Sequence, residues 1–520
     1  MYYGEDFIHM TRLALSCVLI CLITVSVAEG QPFADTKAVA LQQPPAKLGL
    51  SECIDIALRE NRTRAIARSS QEIAEAQYKQ ALSAYWPDIS VEMTGTHLNH
   101  DPNFVFPSTT FSLGPLGAQI AEAVAATQLA KAGITPTSVG LAAYNAALAA
   151  ATQQAMSQMS GFTLPAQNIK LMDRDILTTS LKMHYPLYTG GRITAMVKQG
   201  KMGVEASAAE ARRTDLGIVR DTKQYYYGSI LAHKILVLGE ETLERFQVTL
   251  ELTENLYRHG SGRVKKTDYL RTQVVVASLK ALVELLRSQE ELARTALSNT
   301  MGLRWNVSVS PADTDIPFIE YGAPLNELVL KAHSLNPQLM QVGYGLEAAE
   351  AGIDKAKAGH LPIIVLFGSV DRIDNSYKEG LITDQNRNSW SLGLNMQLPL
   401  FNGFRTTNEV REAEARKEKL SHEQYLLREG IAVQVKDAFL QIARAGMQVK
   451  ATRDAVKAAA ENRQLHERAY QDDLVETKDV IEAQLTELFI QSQYEKALYD
   501  TQYNQSILEY LVGQNLEIRN

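Results

Sequence analysis

Residues 186–192 read Pro-Leu-Tyr-Thr-Gly-Gly-Arg, and residues 399–405 read Pro-Leu-Phe-Asn-Gly-Phe-Arg. One corner-like pattern thus stands twice in the chain, 213 positions apart. A second duplication surrounds it. Residues 50–87 align without a gap onto 325–362, an offset of 275, with Leu50/Leu325, Glu52/Glu327, Ala57/Ala332, Asn61/Asn336 and Pro87/Pro362 among the identical pairs. At 520 residues the length alone suggests two or three domains, but repetition in the same order reads as one structure built from two halves.

The segments beside these corners alternate with the period of a strand. Ile89, Val91 and Met93 face one way and Ser90, Glu92 and Thr94 the other. Leu177, Leu181, Met183 and Tyr185 oppose Ser180, Lys182 and His184. Trp390, Leu392, Leu394, Met396 and Leu398 oppose Ser391, Gly393, Asn395 and Gln397, while Ile363 to Ile373 alternates less regularly. Pro87 and Pro362 end the helices that precede two of these strands. Each strand has the ~9–11 residues that cross a bilayer in a barrel. The competing reading, a soluble sheet with one wet face, leaves four strands with uncovered edges.

Gly191–His259 and Phe404–Asp472 contain no proline, and each runs for 69 residues. As helices they would be about 100 Å long. Leu236, Leu243, Leu250 and Tyr257 fall seven apart, as do Val435, Ile442, Val449 and Val456, the spacing that keeps a coiled-coil seam turned to its partner. Shorter helices are expected over 62–85, 264–301, 338–360 and 476–512, giving a tall helical body with strands at one end.

With 52 basic and 59 acidic residues, net charge −7, and no basic run, nothing points to nucleic acid. Arg12, the apolar run Leu13–Val27 and the small residues Ser26-Val27-Ala28 form an export signal over 1–28. Ala14 stands where a lipidation signal wants a large aliphatic residue before Cys17. Cys53 is then the one cysteine of the mature chain, and no intrachain disulfide forms. No other stretch could span a bilayer as a helix, so insertion must be by strands. The expected organisation is signal peptide 1–28, a Pro- and Gln-rich lead-in 29–48, first repeat 49–302, linker 303–324, second repeat 325–513 and a tail 514–520. The first repeat holds an insert at about 99–175. Within it, Ala118–Ser160 has 15 alanines in 43 residues, which favours two helices on the outer surface.

The order and spacing of these parts resemble the TolC-like outer-membrane efflux family over about residues 48–513. Beside the repeats and corners, the resemblance includes Thr267-Asp268-Tyr269-Leu270-x-x-Gln273 and Lys478-Asp479-Val480-Ile481-x-x-Gln484. It implies a mainly α chain with a membrane β-barrel: a long antiparallel coiled-coil tunnel plus four strands per chain, twelve in a homotrimer. Its partners would be a periplasmic membrane-fusion adaptor, an inner-membrane transporter of RND, ABC or MFS type, and outer-membrane lipid. It implies no cofactor, metal or catalytic residue.

By family pattern Tyr470, Asp479 and Glu482, with Asp268 on the other hairpin, fall at the periplasmic gate. Threefold rings of carboxylate there would attract cations. The alternative for Asp479 is a helix-start carboxylate offsetting the dipole. The hairpin tips, expected to meet the adaptor, carry Gly260, Gly262, Lys265 and Lys266 on a basic side and Asp472, Asp473, Leu474 and Val475 on an acidic one. The two tips either pair when closed or are solvated turns. Many members have a glycine and an arginine where Asp473 and Val475 stand, so their arginine-mediated closed-state link has no counterpart at that position. Pro186, Gly190, Pro399 and Gly403 form the strand-to-helix corners. Two other functions share these elements: the outer-membrane part of type I protein secretion, and a periplasmic coiled-coil scaffold without a pore.

Overall fold

The computed structural model describes residues 47–111, 114–158, 162–259, 264–320, 322–375, 387–472 and 474–514. The expected signal peptide, nearly all of the lead-in, Gly260, Gly262, Asp473 and residues 515–520 lie outside the described residues. Eight principal helices and four principal strands follow one another as two repeats. The first is α1 (Leu50–Glu60), α2 (Arg62–Ser83), β1 (Asp88–His97), β2 (Asp175–Tyr188), α3 (Arg192–Arg258) and α4 (Lys266–Thr300). The second is α5 (Leu325–Leu335), α6 (Pro337–Lys357), β3 (Ile363–Asp374), β4 (Asn388–Gln397), α7 (Arg405–Gln471) and α8 (Thr477–Val512). They form two compact units, and α2, α3, α6 and α7 each give residues to both.

The first unit holds residues 47–76, 201–348 and 417–514 of the described chain. Its helices are long because no proline interrupts them: α3 and α7 have 67 residues each. Their heptad positions make the cores. Val435 and Val449 are fully buried, and Leu236 and Ile442 nearly so. One core gathers Cys53, Ala57, Tyr226, Leu297, Met301 and Val309; the other gathers Leu328, Ala332, Val435, Leu508 and Val512. Cys53 and Leu328 are equivalent by the 275-residue repeat, as are Ala57 and Ala332. Cys53 is fully buried, and burial, with the charges of Glu52 and Asp313 adding to it, pushes its thiol up to about 12. The linker is tied down where Lys47–Leu48 pairs in parallel with Ser310–Pro311 and where the Tyr226 hydroxyl donates to Asp313 Oδ2 at 2.6 Å.

An identical pair from the sequence alignment makes the same joint in both repeats. Asn61 ends α1. Its Oδ1 accepts from the Thr63 N–H at 2.8 Å, and its Nδ2 donates to the Thr300 carbonyl at the end of α4, 2.7 Å away. Asn336 ends α5, accepts from the Gln338 N–H at 2.9 Å, and donates to the Leu511 carbonyl near the end of α8 at 2.7 Å. Glycines let the chains approach: a Cβ on Gly302 would stand 2.5 Å from the Glu60 carbonyl oxygen, and one on Gly513 2.3 Å from that of Leu335. Both glycines have φ near +80°, which L side chains rarely adopt.

The second unit holds 77–200 and 349–416. Its sheet runs β4-β3-β2-β1, every pair antiparallel, with β1 and β4 as edges. The insert contains the two expected alanine-rich helices, Gly114–Lys131 and Leu141–Gln158, packed through Gly117, Ala121 and Ala125. It also contains short ladders that the sequence reading did not foresee, Asn103–Phe106 with Gln167–Lys170 and Thr109–Phe111 with Phe162–Leu164. The helices therefore sit on a continuing β-hairpin.

Replacing Asn61 or Asn336 with Ala leaves a buried helix-end carbonyl without its donor, at about 1–3 kcal/mol each. Each Ala variant should melt lower in detergent. The Asp variants keep the acceptor but set a carboxylate oxygen against that carbonyl, and should melt at least as low. Unchanged midpoints would mean that these joints carry no stability.

Candidate functional site

The two hairpin tips are built alike. At the first, the Lys265 N–H donates to Asp268 Oδ2 at 3.0 Å; at the second, the Glu476 N–H donates to Asp479 Oδ2 at 3.0 Å. Each carboxylate lies in the first turn of its helix, where it satisfies an orphan donor and offsets the dipole. Asp479 thus has the capping role set beside the gate role above. It stays half-exposed, so its charge still reaches solvent. Glu482, one turn on, is exposed. It lines an open groove of about 390 Å³ with Arg271, Lys478, Ile481, Leu485 and Phe489. The Glu476 carboxylate, by its hydrogen bond and charge, raises the Lys478 ammonium above its ordinary range; Asp479 adds to this and Arg271 opposes it.

Tyr470 is elsewhere. It is buried, 5% exposed, with its hydroxyl 3.0 Å from Thr253 Oγ1 and 2.9 Å from Thr477 Oγ1. One phenol therefore joins α3, α7 and α8. The polar seam continues inward. Gln484 Nε2 donates to Glu467 Oε1 at 2.8 Å and lies 3.4 Å from Thr249 Oγ1. Arg463 pairs with Glu467 at 2.5 Å and with Glu487 at 2.7 Å, and Arg245 reaches Glu487 at 3.5 Å. The sequence reading missed Thr253, Thr477, Arg463 and Glu487, and had Gln484 only as part of the second hairpin motif. Their one signal was Thr242 and Thr249, seven apart on α3. Lys266, Asp472 and Leu474 lie on or beside the tips, and Leu474 is exposed. Val475 is half-buried, and the ion pair described at the second tip is local, Lys478 with Glu476.

The sheet presents two unlike faces. The register sets Ile89, Val91 and Met93 beside Met183, Leu181 and Thr179, then Gly368, Val370 and Arg372, then Leu392, Trp390 and Asn388. Most of this face is apolar and exposed, Trp390 at 77% and Leu394 at 65%, while Thr179, Arg372 and Asn388 fill its row beside Met93. The other face carries the Glu92–Lys182 ion pair, and Ser369, which donates to Asp371 Oδ2 at 2.6 Å and lies 2.9 Å from Ser391. Of the corner residues, Pro186 lies inside β2, where the register with β3 slips between Pro186 and Tyr188. Proline lacks a ladder donor and suits such a slip. The turn itself is at Gly190, φ +63°, where a Cβ would stand 2.7 Å from that of Leu361. Pro399 precedes the second turn, and Gly403 has φ +65°. Among the described residues no cluster of three or more His, Cys, Asp or Glu could hold a metal ion.

The family model described as outer membrane efflux protein matches residues 53–303 and 328–514. Nodulation protein T of Rhizobium leguminosarum bv. trifolii is 23% identical over 391 residues, covering 72% of this chain and 80% of the relative. Outer membrane protein TolC of Salmonella enteritidis is 23% identical over 303 residues, covering 57% and 61%. Cation efflux system protein CusC of Escherichia coli K12 is 23% identical over 246 residues, covering 46% and 52%. The chain thus spans from about half to four fifths of these relatives. A crystal structure of CusC superposes with a TM-score of 0.66 at 18% identity, covering 90% of this chain and 92% of that one. The Campylobacter jejuni CmeC outer membrane channel superposes with a TM-score of 0.68 at 14% identity, covering 91% and 87%.

Tyr470→Phe removes the hydroxyl that joins three helices and leaves two buried threonines short of a partner. The variant should unfold earlier in detergent by about 1–3 kcal/mol. If the tip is a gate, its single channels should also dwell longer in high-conductance states. A variant matching wild type in both would mean that the phenol only fills space.

Proposed function

The chain belongs to the outer membrane efflux protein family, and from that premise we propose that three copies join their sheets edge to edge into a twelve-stranded barrel. It is an outer-membrane efflux channel, with its helical body in the periplasm. The observation that carries the trimer is the open sheet: a largely apolar, exposed face with unpaired edges at β1 and β4. A bilayer does not tolerate bare edges. Two chains would give eight strands and a lumen filled by side chains, whereas three give room for water. The polar face with Glu92, Lys182 and Asp371 then lines the lumen.

The helices support the same assembly. Leu426, Val433, Leu440 and Met447 fall seven apart on α7 and are 53–68% exposed, a heptad seam left uncovered by the described residues of its own chain. A neighbouring copy is the natural cover. The tips around Lys265, Lys266, Asp472 and Leu474 would dock a periplasmic adaptor, through which an inner-membrane transporter supplies energy. Glu482 and Asp479, tripled, would ring the periplasmic entrance. Such a ring selects a sign of charge, not a molecule, so cargo would follow the transporter.

Two experiments test this. Val433→Asp with Leu440→Asp should leave helix content by circular dichroism intact but turn trimers into monomers by native mass measurement in detergent. Trimers that survive would sink the proposed seam. Asp479→Asn with Glu482→Gln keeps an acceptor at the cap while removing both charges. It should weaken cation selectivity in planar bilayers, and unchanged selectivity would put these acids outside the conduction path.

A further inference from the structure

The insert between β1 and β2 sheds its charge as it leaves the sheet. At its base charged groups crowd together. Lys170 Nζ lies 3.2 Å from Asp101 Oδ2 and also pairs with Asp173, and the Arg174 N–H donates to Asp101 Oδ1 at 2.9 Å. Asn375, just past β3, donates from Nδ2 to the Asp173 carbonyl at 2.9 Å, and its Oδ1 accepts from the Asp173 N–H at 3.1 Å. The base is thereby tied to the sheet. Beyond it, from Asn103 to Ile169, Glu122 and Lys131 are the only charged residues.

The two helices that stand there leave two unlike faces open. Gly117, Ala121 and Ala125 of Gly114–Lys131 are buried against Leu141–Gln158. One residue before each, and so about 100° round the helix, come Leu116, Ile120 and Val124, all exposed. On the second helix Ala142, Ala146, Ala149 and Ala150 are exposed, and no residue of that helix is charged. A helix that faces water carries charged or polar residues on its outer side, and a contiguous apolar patch marks a contact. A helix lying on a membrane would carry a row of Lys or Arg on its polar side, and no described helix is long and apolar enough to cross one. A second copy of the chain fits both faces. In a ring of three, every contact is head to tail and needs two different surfaces on each copy. A ridge of branched side chains and a smooth bed of alanines make such a pair. Chain connectivity brings copies within reach. The ladder that ends at His97 resumes at Asn103, so the insert continues β1, the edge strand that joins a neighbour in the proposed barrel.

We propose that the helical hairpin is a self-association surface: the Leu116, Ile120 and Val124 ridge of one copy packs on the alanine face of the next, and three hairpins close a six-helix bundle beyond the outer end of the barrel. This rests on the reading of the open sheet as one third of a trimeric barrel.

The test is double electron–electron resonance on the full chain in detergent, with its oligomeric state read by native mass measurement. Lys131→Cys, at the exposed end of the first insert helix, is spin-labelled with Cys17 and Cys21 replaced by Ser; Cys53 is buried and does not react. Three hairpin ends in one bundle should give a single short distance, within roughly 30–36 Å, or three helix diameters. A trimer with broad or longer distances overturns the bundle and leaves the barrel reading standing. A chain that never forms trimers overturns the barrel reading and the bundle with it. Ile120→Glu with Val124→Glu should leave the mass and the helix content by circular dichroism unchanged, yet lengthen or spread the distance between labels at 131. An unmoved distance in that variant overturns packing through this ridge.

Discussion

Two asparagine side chains, Asn61 and Asn336, hold the helical architecture together. A helix leaves its last carbonyls without partners, and burying them bare is costly. Each asparagine ends one short helix, opens the next, and gives its amide protons to a carbonyl at the end of a third. The joint closes only because Gly302 and Gly513 let two backbones pass at contact distance. Each point fixes how two short helices meet the end of a long one, α1 and α2 against α4, and α5 and α6 against α8. Their recurrence at one offset is why the halves are alike.

The rest of the molecule sorts polar from apolar groups according to what surrounds them. In the helical cores apolar residues turn inward, as water requires. In the sheet the order is inverted, and an ion pair and hydroxyls share the face opposite a mostly apolar exterior. Near the tips the seam between helices turns polar again, through Tyr470, Gln484, Arg463 and Glu487. Buried ion pairs add little net stability, but they punish a slip in register, because a misplaced partner leaves a charge alone. A purely apolar seam would be firmer and less particular about alignment.

Much of this was legible in the sequence. The 275-residue offset marked Asn61 and Asn336 before any contact was known, and strict alternation at Trp390–Leu398 gave the strand and its outer face. The proline-free runs Gly191–His259 and Phe404–Asp472 matched the long helices to within a residue at each end. What stayed hidden was pairing rather than element type. The short ladders at Asn103–Phe106 and Gln167–Lys170 lie 60 or more residues apart in the chain, and neither segment is long enough to show a period. Tyr470 occupies a heptad-like position that fits an entrance-facing or a packed ring equally well, and its contacts to two threonines on other helices have no signal in the spacing. Pro186 reads as a corner because proline usually ends a ladder, yet a register slip admits it.

Cys53 links folding to chemistry. It is the cysteine of the described chain and lies in the core beneath α1. Outside the cytoplasm free thiols meet oxidants, and reactivity follows the thiolate. Once α1 docks, burial suppresses that thiolate and closes off access. Before docking, nothing does. Docking of α1 therefore does for this thiol what no disulfide does: it keeps the sulfur protonated and out of reach in the folded chain.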